Sequence, residues 1–159
     1  MPEPAPLPPA TGSMTLLVAA VIVHDLDQRK VLLIQRGPEA KFAPGSWDLP
    51  AGKSEKGEPV TATAVRELRE ETGLVTNPSA LRVAHVIHGA WGVEAPNGFL
   101  TIVFVAHHWS GEAVNTEPDK HGAVAWIGED SIPADFVSTT ATALNNYMTG
   151  GPAVSTDGW

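Results

Sequence analysis

The stretch from residue 52 to residue 74, GKSEKGEPVTATAVRELREETGL, determines the fold because a glycine-containing loop runs here into an amphipathic helix. Pro59 suits the first turn of a helix, where its missing N–H costs no hydrogen bond. Gly73 suits the position just past the helix end. The stretch therefore predicts a helix over residues 59–72.

The predicted helix separates apolar from acidic residues at 100° per residue. Three apolar residues share one face and three glutamates share the opposite one: Ala62, Val65 and Leu68 against Glu67, Glu70 and Glu71. We expect the apolar face to be buried and the acidic face to be exposed. The clustered carboxylates repel one another, and hard divalent cations such as Mg²⁺ would offset this repulsion. An ordinary solvated acidic face is the alternative.

The same stretch resembles the sequence box of the Nudix hydrolase family. That box reads Gly, five residues, Glu, seven residues, then Arg-Glu-aliphatic-any-Glu-Glu-any-Gly-aliphatic. Its fixed positions are all filled without insertion, by Gly52, Glu58, Arg66, Glu67, Leu68, Glu70, Glu71, Gly73 and Leu74. The wider resemblance covers residues 15–148 and implies the Nudix fold, an α/β/α sandwich with a mixed β-sheet. Ala51 departs from the family pattern, since relatives commonly have a second glycine there.

The resemblance implies hydrolysis of a diphosphate linkage in a nucleoside diphosphate attached to another group, with Mg²⁺ or Mn²⁺ as cofactor. The glutamates Glu67, Glu70 and Glu71 are then the catalytic metal ligands, and the backbone carbonyl near Gly52 is a further candidate ligand. We expect Arg66 to orient a carboxylate through a forked hydrogen bond rather than to contact the metal.

Three other residues of this stretch have expected supporting roles. Glu58 is expected to anchor the loop or to reach the metal through water. Gly73 has a structural role at the helix end. Lys53, next to Gly52, is a candidate to bind the substrate.

A second motif lies downstream, where residues 115–120 read NTEPDK. This segment resembles the Glu-Pro-acid-Lys stretch of MutT-like nucleoside triphosphate diphosphatases. In that group a further acid is often brought to the metal cluster, which makes Glu117 a catalytic candidate. Lys120 is a candidate phosphate contact. The alternatives are a solvated acid in a proline-containing turn and an ordinary surface lysine.

A pocket for a nucleobase needs apolar walls with a few polar groups. Trp91 and Phe99, together with Phe42 and Trp47, are candidates to stack on a base, although an aromatic residue on a strand more often belongs to the core. The six histidines show no zinc-site spacing, and the sequence assigns them no role.

The rest of the chain predicts strands and one more helix. Strand candidates are residues 15–23, 31–35, 48–50, 81–88, 99–109 and 123–127, and residues 134–148 form the closing helix. Residues 51–58 are interpreted as a loop. The proline-rich arm at residues 1–14 is expected to be disordered, the Nudix domain to span residues 15–148, and residues 149–159 to form a flexible tail.

Composition restricts the class of function for this chain of 159 residues. The net charge of -8 leaves direct nucleic-acid binding without its usual electrostatic drive. The longest apolar run has eight residues, from Leu16 to Val23, against about 20 for a membrane span. The absence of cysteine excludes disulfides and thiolate metal sites and fits a cytoplasmic protein. A small nucleotide is the expected partner, and a homodimer remains open.

Three functions agree with these motifs. The first is a nucleoside triphosphate diphosphatase that releases a nucleoside monophosphate and pyrophosphate. The second is a pyrophosphatase of ADP-ribose or a nucleotide sugar, although Ala90 stands where ADP-ribose pyrophosphatases resemble one another in a proline. The third is a nucleotide sensor that binds without cleaving, but such sensors often lose the box carboxylates that this chain keeps.

Overall fold

The computed structural model describes residues 1–7 and 9–159, and these residues form a mixed β-sheet with a helix on each face. The strands are β1 (Leu16–Asp25), β2 (Lys30–Arg36), β3 (Trp47–Asp48), β4 (Ala51–Lys53), β5 (Arg82–Gly89), β6 (Phe99–Ala106), β7 (His121–Gly128) and β8 (Val154–Asp157). The helices are α1 (Val60–Thr72) and α2 (Ser138–Thr149). Short 3₁₀ turns lie at Thr11–Ser13, Pro78–Ala80 and Glu129–Ser131.

Strand β1 is central to the sheet. Along one edge it pairs in parallel with β6, from Leu16 opposite Phe99 to Val23 opposite Ala106. Along the other edge it pairs antiparallel, first with β4 and then with β2. The main strand order is β3-β2-β1-β6-β5-β8, with β7 added to β2. The predicted α/β/α sandwich with a mixed sheet is confirmed.

Alternate residues of β1 face the two helices, because successive side chains of a strand point to opposite faces. The first core cluster lies on the side of α1 and contains Ala19, Val21, Val23, Leu32, Ala64, Leu68, Leu74, Leu81, Phe104 and Ala106. The second core cluster lies on the side of α2 and contains Ala20, Ile22, Val31, Leu33, Leu49, Ile87, Val103, Val105, Ala143 and Leu144. The apolar run of β1 is therefore a strand buried on both faces.

Helix α1 begins and ends close to the residues that the sequence indicated. Pro59 is the N-cap, and Gly73 ends the helix with a φ of 76° while its N–H donates to the carbonyl of Arg69. That left-handed conformation is available to glycine without the steric cost that a side chain would add.

The predicted faces of α1 are partly wrong. Ala62 and Val65 are only half-buried, whereas Glu71 is 6% exposed and Glu67 is half-buried. Of the three glutamates only Glu70 is exposed. The reason is that α1 packs against both β1 and β4, so that part of its acidic face is covered by the strand that precedes it.

The C-terminal segment also differs from its prediction as a flexible tail. Residues 154–157 form β8, which pairs in parallel with β5 from Val86 opposite Val154 to Gly89 opposite Asp157. The Trp159 indole N–H donates to the carbonyl of His88 at 3.0 Å. The segment is ordered because the otherwise unpaired edge of β5 provides hydrogen-bond partners for its backbone. Its own short, mostly polar sequence does not indicate a strand.

Two further boundaries differ from the sequence prediction. Residues 51–53, interpreted as loop, form β4 because they pair with residues 18–20 of β1. Helix α2 begins at residue 138 rather than 134. The backbone before it pairs with Trp47 instead: the Trp47 N–H donates to the carbonyl of Asp135, and the Val137 N–H donates to the carbonyl of Trp47. Within the part of the chain that the structure describes, no helix has the length and apolar character needed to cross a bilayer.

Leu68→Ala is expected to lower the free energy of unfolding by about 2 to 5 kcal/mol, because Leu68 is fully buried in the first core cluster. Urea denaturation monitored by circular dichroism measures the change. Leu26→Ala, at a residue that is 58% exposed, is the control and should have little effect. Equal losses in the two variants would contradict the placement of α1 on the sheet.

Candidate active site

The turn from β4 into α1 brings backbone and carboxylates into contact. A Cβ atom placed on Gly52 would lie 2.0 Å from the Glu67 carboxyl carbon, so the Glu67 side chain packs directly on the glycine backbone. The Ala51 N–H donates to Glu71 Oε2 at 3.3 Å. The Ala51 side chain packs against the second core cluster, which accommodates the departure from the family pattern at this position.

Arg66 joins the loop to the acidic residues of α1. Its Nε and Nη2 donate to the two carboxylate oxygens of Glu58 at 2.7 and 3.1 Å, which is the forked contact expected from the sequence. Its Nη1 donates to Glu67 at 2.8 Å and to Glu70 at 3.1 Å. Nη2 also donates to the carbonyl of Lys53 at 3.0 Å. One guanidinium therefore orients three carboxylates and the end of β4.

Glu58 anchors the loop in this arrangement. Hydrogen bonds from Arg66, and to a smaller extent from Thr63, lower the pKa of Glu58 to about 2. The Glu55 N–H donates to the same carboxylate at 3.2 Å. These contacts favour the loop-anchoring role over metal contact through water.

Glu71 and Glu67 carry buried or half-buried carboxylates close to one another. Burial raises the pKa of Glu71 well above its usual value, and the negative charges of Glu67, Asp48 and Glu117 raise it further. Burial also raises the pKa of Glu67, although Arg66 opposes that change. Such an arrangement destabilises the ionised forms unless a cation approaches them.

The donor chemistry of this cluster fits a divalent metal ion. Mg²⁺ and Mn²⁺ take carboxylate and carbonyl oxygens, which Glu67, Glu70, Glu71 and Gly52 offer. Among residues 1–7 and 9–159, no three His, Cys, Asp or Glu side chains are already arranged to hold a metal. Arg66 accounts for part of this, because its Nη1 holds both Glu67 and Glu70.

The turn containing Glu117 packs on the C-terminal end of α1. The Val114 N–H donates to the carbonyl of Thr72 at 2.9 Å, and the Thr116 hydroxyl donates to the carbonyl of Glu70. These bonds bring Glu117 close enough for its charge to raise the pKa of Glu71. The structure thus gathers Glu117 with the box glutamates.

A cavity of about 640 Å³ lies between α1, the end of β2 and this turn. Its acidic side chains are Glu39, Glu67, Glu70, Glu71, Glu117 and Asp119. Its basic side chains are Arg36, Lys53 and Lys120. We call it the acidic cavity. The Lys120 ammonium is paired with Glu117 at 3.0 Å, so it is positioned at the cavity but already neutralised.

A second cavity of about 900 Å³ is lined mainly by residues 14–16 and 92–96. Lys53 lines both cavities, so the two adjoin at this side chain. Trp91 precedes the 92–96 loop and is 71% exposed, and Phe99 packs against Gly89 and the second core cluster. Neither aromatic residue lines the acidic cavity, and their role in substrate binding stays a prediction.

Arg36 and His121 are two of the acidic-cavity residues that the sequence did not predict. Arg36 ends β2 directly opposite His121, the first residue of β7. Arg36 Nε donates to the carbonyl of Phe42 at 2.7 Å, and its guanidinium lies 3.6 Å from the Asp48 carboxylate. His121 is 9% exposed, and burial lowers its pKa. Only the pairing of β2 with β7 brings them together, and neither belongs to a recognisable motif.

Comparison with known proteins agrees with this geometry. A model of the NUDIX domain matches residues 14–147, and the chain therefore belongs to the NUDIX family. The sequence-based assignment to the Nudix hydrolases is confirmed. Members of the family typically depend on a divalent metal and bind nucleotides.

Individual relatives show the extent of the similarity. The human 8-oxo-dGDP phosphatase NUDT18 is 34% identical over 135 residues, which are 82% of this chain and 38% of that protein. The uncharacterized Nudix hydrolase YvcI of Bacillus subtilis is 34% identical over 104 residues, 65% of this chain and 61% of that protein. The chain thus spans about two fifths of the human relative.

Solved structures confirm the fold. The MutT NUDIX hydrolase of Burkholderia pseudomallei superposes with a TM-score of 0.69 and 29% identity, covering 83% of this chain and 97% of that one. MutT of Methanosarcina mazei superposes with a TM-score of 0.68 at 18% identity, covering 86% of this chain and 94% of that one.

Gly52→Ala is expected to weaken Mn²⁺ binding by about tenfold or more, because the new methyl group displaces the Glu67 carboxylate. Electron paramagnetic resonance of free Mn²⁺ measures the affinity. The melting temperature should change little, since the displaced atoms end a flexible side chain. Gly128→Ala is the control, because the nearest atom to its Cβ would be 3.8 Å away. Unchanged Mn²⁺ affinity in Gly52→Ala would remove Glu67 from the metal-binding set.

Proposed function

We propose that this domain is a metal-dependent nucleoside triphosphate diphosphatase, which releases a nucleoside monophosphate and pyrophosphate. The observation that carries the proposal is the acidic cavity, where the Glu117 turn faces the box glutamates and three basic side chains lie beside them. The resemblance of residues 115–120 to MutT-like enzymes adds to it, as does the similarity to a MutT structure at 29% identity.

The charge distribution suits a polyphosphate only together with cations. A bound divalent ion would neutralise phosphate oxygens and lower the pKa of an attacking water. Glu67, Glu70 and Glu71 would hold it, and Arg66 fixes the orientation of Glu67 and Glu70. Glu117 lines the same cavity, and its carboxylate can accept a proton from the attacking water.

The basic residues indicate how the substrate lies. Arg36 and Lys53 line the acidic cavity at different places and supply donors for phosphate oxygens. Lys53 also lines the second cavity, which is large enough to receive a nucleoside. We therefore place the phosphate chain over the glutamates and the nucleoside end beyond Lys53.

A substrate panel with Mg²⁺ tests the proposal, with products identified by ³¹P NMR. Deoxynucleoside triphosphates, including the 8-oxo form, should yield monophosphate and pyrophosphate. The human relative is named for action on 8-oxo-dGDP, so the corresponding diphosphates belong in the panel. Release of orthophosphate from diphosphates alone, cleavage of ADP-ribose or nucleotide sugars alone, or binding without cleavage would each contradict the proposal.

Glu70→Gln and Glu71→Gln should each lower turnover by at least about 10²-fold, because each removes an anionic oxygen ligand. The burial of Glu71 adds a second expectation. Glu71→Gln should melt no lower than the parent protein, since it removes a buried charge that neighbouring carboxylates disfavour. Steady-state kinetics and differential scanning calorimetry measure the two effects. Near-normal turnover in either variant would count against the metal-binding role.

Glu117→Ala should lower turnover, most visibly near neutral pH, while the Michaelis constant changes less. The metal held on α1 still binds the phosphates in this variant. The control is Glu112→Ala, because Glu112 is exposed and does not line the acidic cavity. If Glu112→Ala lowers turnover and Glu117→Ala does not, the catalytic acid of this segment is Glu112 rather than Glu117.

A further inference from the structure

His121 has an unusual environment in the wall of the acidic cavity. Its ring is largely buried, and its Nδ1 is fully buried without a hydrogen-bond partner in the described residues. Native proteins leave few buried polar atoms unpaired, and each such atom calls for an explanation.

The backbone of His121, rather than its ring, holds the residue in place. Its N–H donates to the carbonyl of Glu117 at 3.0 Å, and its carbonyl accepts from Asn115 Nδ2 at 2.8 Å. Strand pairing with Arg36 fixes the position further. The residue is therefore fixed in the cavity wall by its backbone, and neither ring nitrogen has a hydrogen-bond partner in the described residues.

The burial of Nδ1 determines where the proton of the neutral ring lies. A buried N–H without an acceptor is rarer in proteins than a buried acceptor without a donor. Nδ1 should therefore be unprotonated, which leaves the proton on Nε2. Nε2 has no partner among the described residues and, unlike Nδ1, is not among the fully buried unpaired atoms. Because His121 lines the acidic cavity, this Nε2–H is the ring donor available to a ligand bound there.

We propose that the Nε2–H of His121 donates a hydrogen bond to a phosphate oxygen of the substrate, which makes His121 a substrate-binding residue. This inference rests on the proposed phosphate-chain position in the acidic cavity. A neutral donor suits this wall, because the neighbouring Lys120 charge is already paired with Glu117. The bond would help to orient the phosphate chain between Arg36 and the Glu117 turn.

Binding of Mg²⁺-pyrophosphate, measured by isothermal titration calorimetry, tests the inference without requiring turnover. His121→Leu should weaken binding by about tenfold or more, the expected loss of a hydrogen bond to a charged group. His121→Gln, whose amide nitrogen reaches the Nε2 position, should stay within about threefold of the parent. His108→Leu is the matched control, since His108 is exposed and outside the acidic cavity.

A spectroscopic measurement separates hydrogen bonding from a space-filling role. Long-range ¹H–¹⁵N NMR of the histidine-labelled parent protein should show His121 as the Nε2–H tautomer, assigned by its loss in His121→Gln. The inference is overturned if Nδ1 carries the proton, if His121→Leu binds pyrophosphate like the parent, or if the parent does not bind it. If the parent protein binds pyrophosphate as expected but does not hydrolyse nucleoside triphosphates, only the proposed function is overturned.

Discussion

The guanidinium of Arg66 is the contact on which the candidate site depends. It holds Glu58 through a forked pair of hydrogen bonds and reaches Glu67, Glu70 and the carbonyl of Lys53 with its remaining donors. A single cation thereby fixes the loop, the helix and the end of β4 relative to one another. Its positive charge offsets the mutual repulsion of the Glu58, Glu67 and Glu70 carboxylates, all of which it contacts.

The sheet supplies the second constraint. Strand β1 packs its alternate side chains into both core clusters, and it carries β4 along its edge. Because β4 is fixed there, Gly52 lies against the carboxyl group of Glu67 and the Ala51 N–H reaches Glu71. The burial that stabilises the fold thus also places the acidic residues next to backbone groups, where a side chain at residue 52 would displace the Glu67 carboxylate.

Several features of the site lay beyond sequence reasoning for a physical reason. Helical periodicity separates two faces but does not tell how much of each is covered, so the burial of Glu71 under β4 was not predicted. His121 and Arg36 belong to no motif, and they meet only through the register of β2 and β7. The pairing of residues 154–157 with the edge of β5 likewise depends on a partner far away in the chain.

The sequence by itself determined the family box, the bounds of α1 within a residue and the glycine that ends this helix. These follow from local spacing and from hydrogen bonds between residues close in the chain. The tertiary structure decided which carboxylates are buried, where the acidic cavity lies and which basic side chains share it. Those properties arise from contacts between distant segments, because strand pairing and helix packing set distances that no local pattern contains.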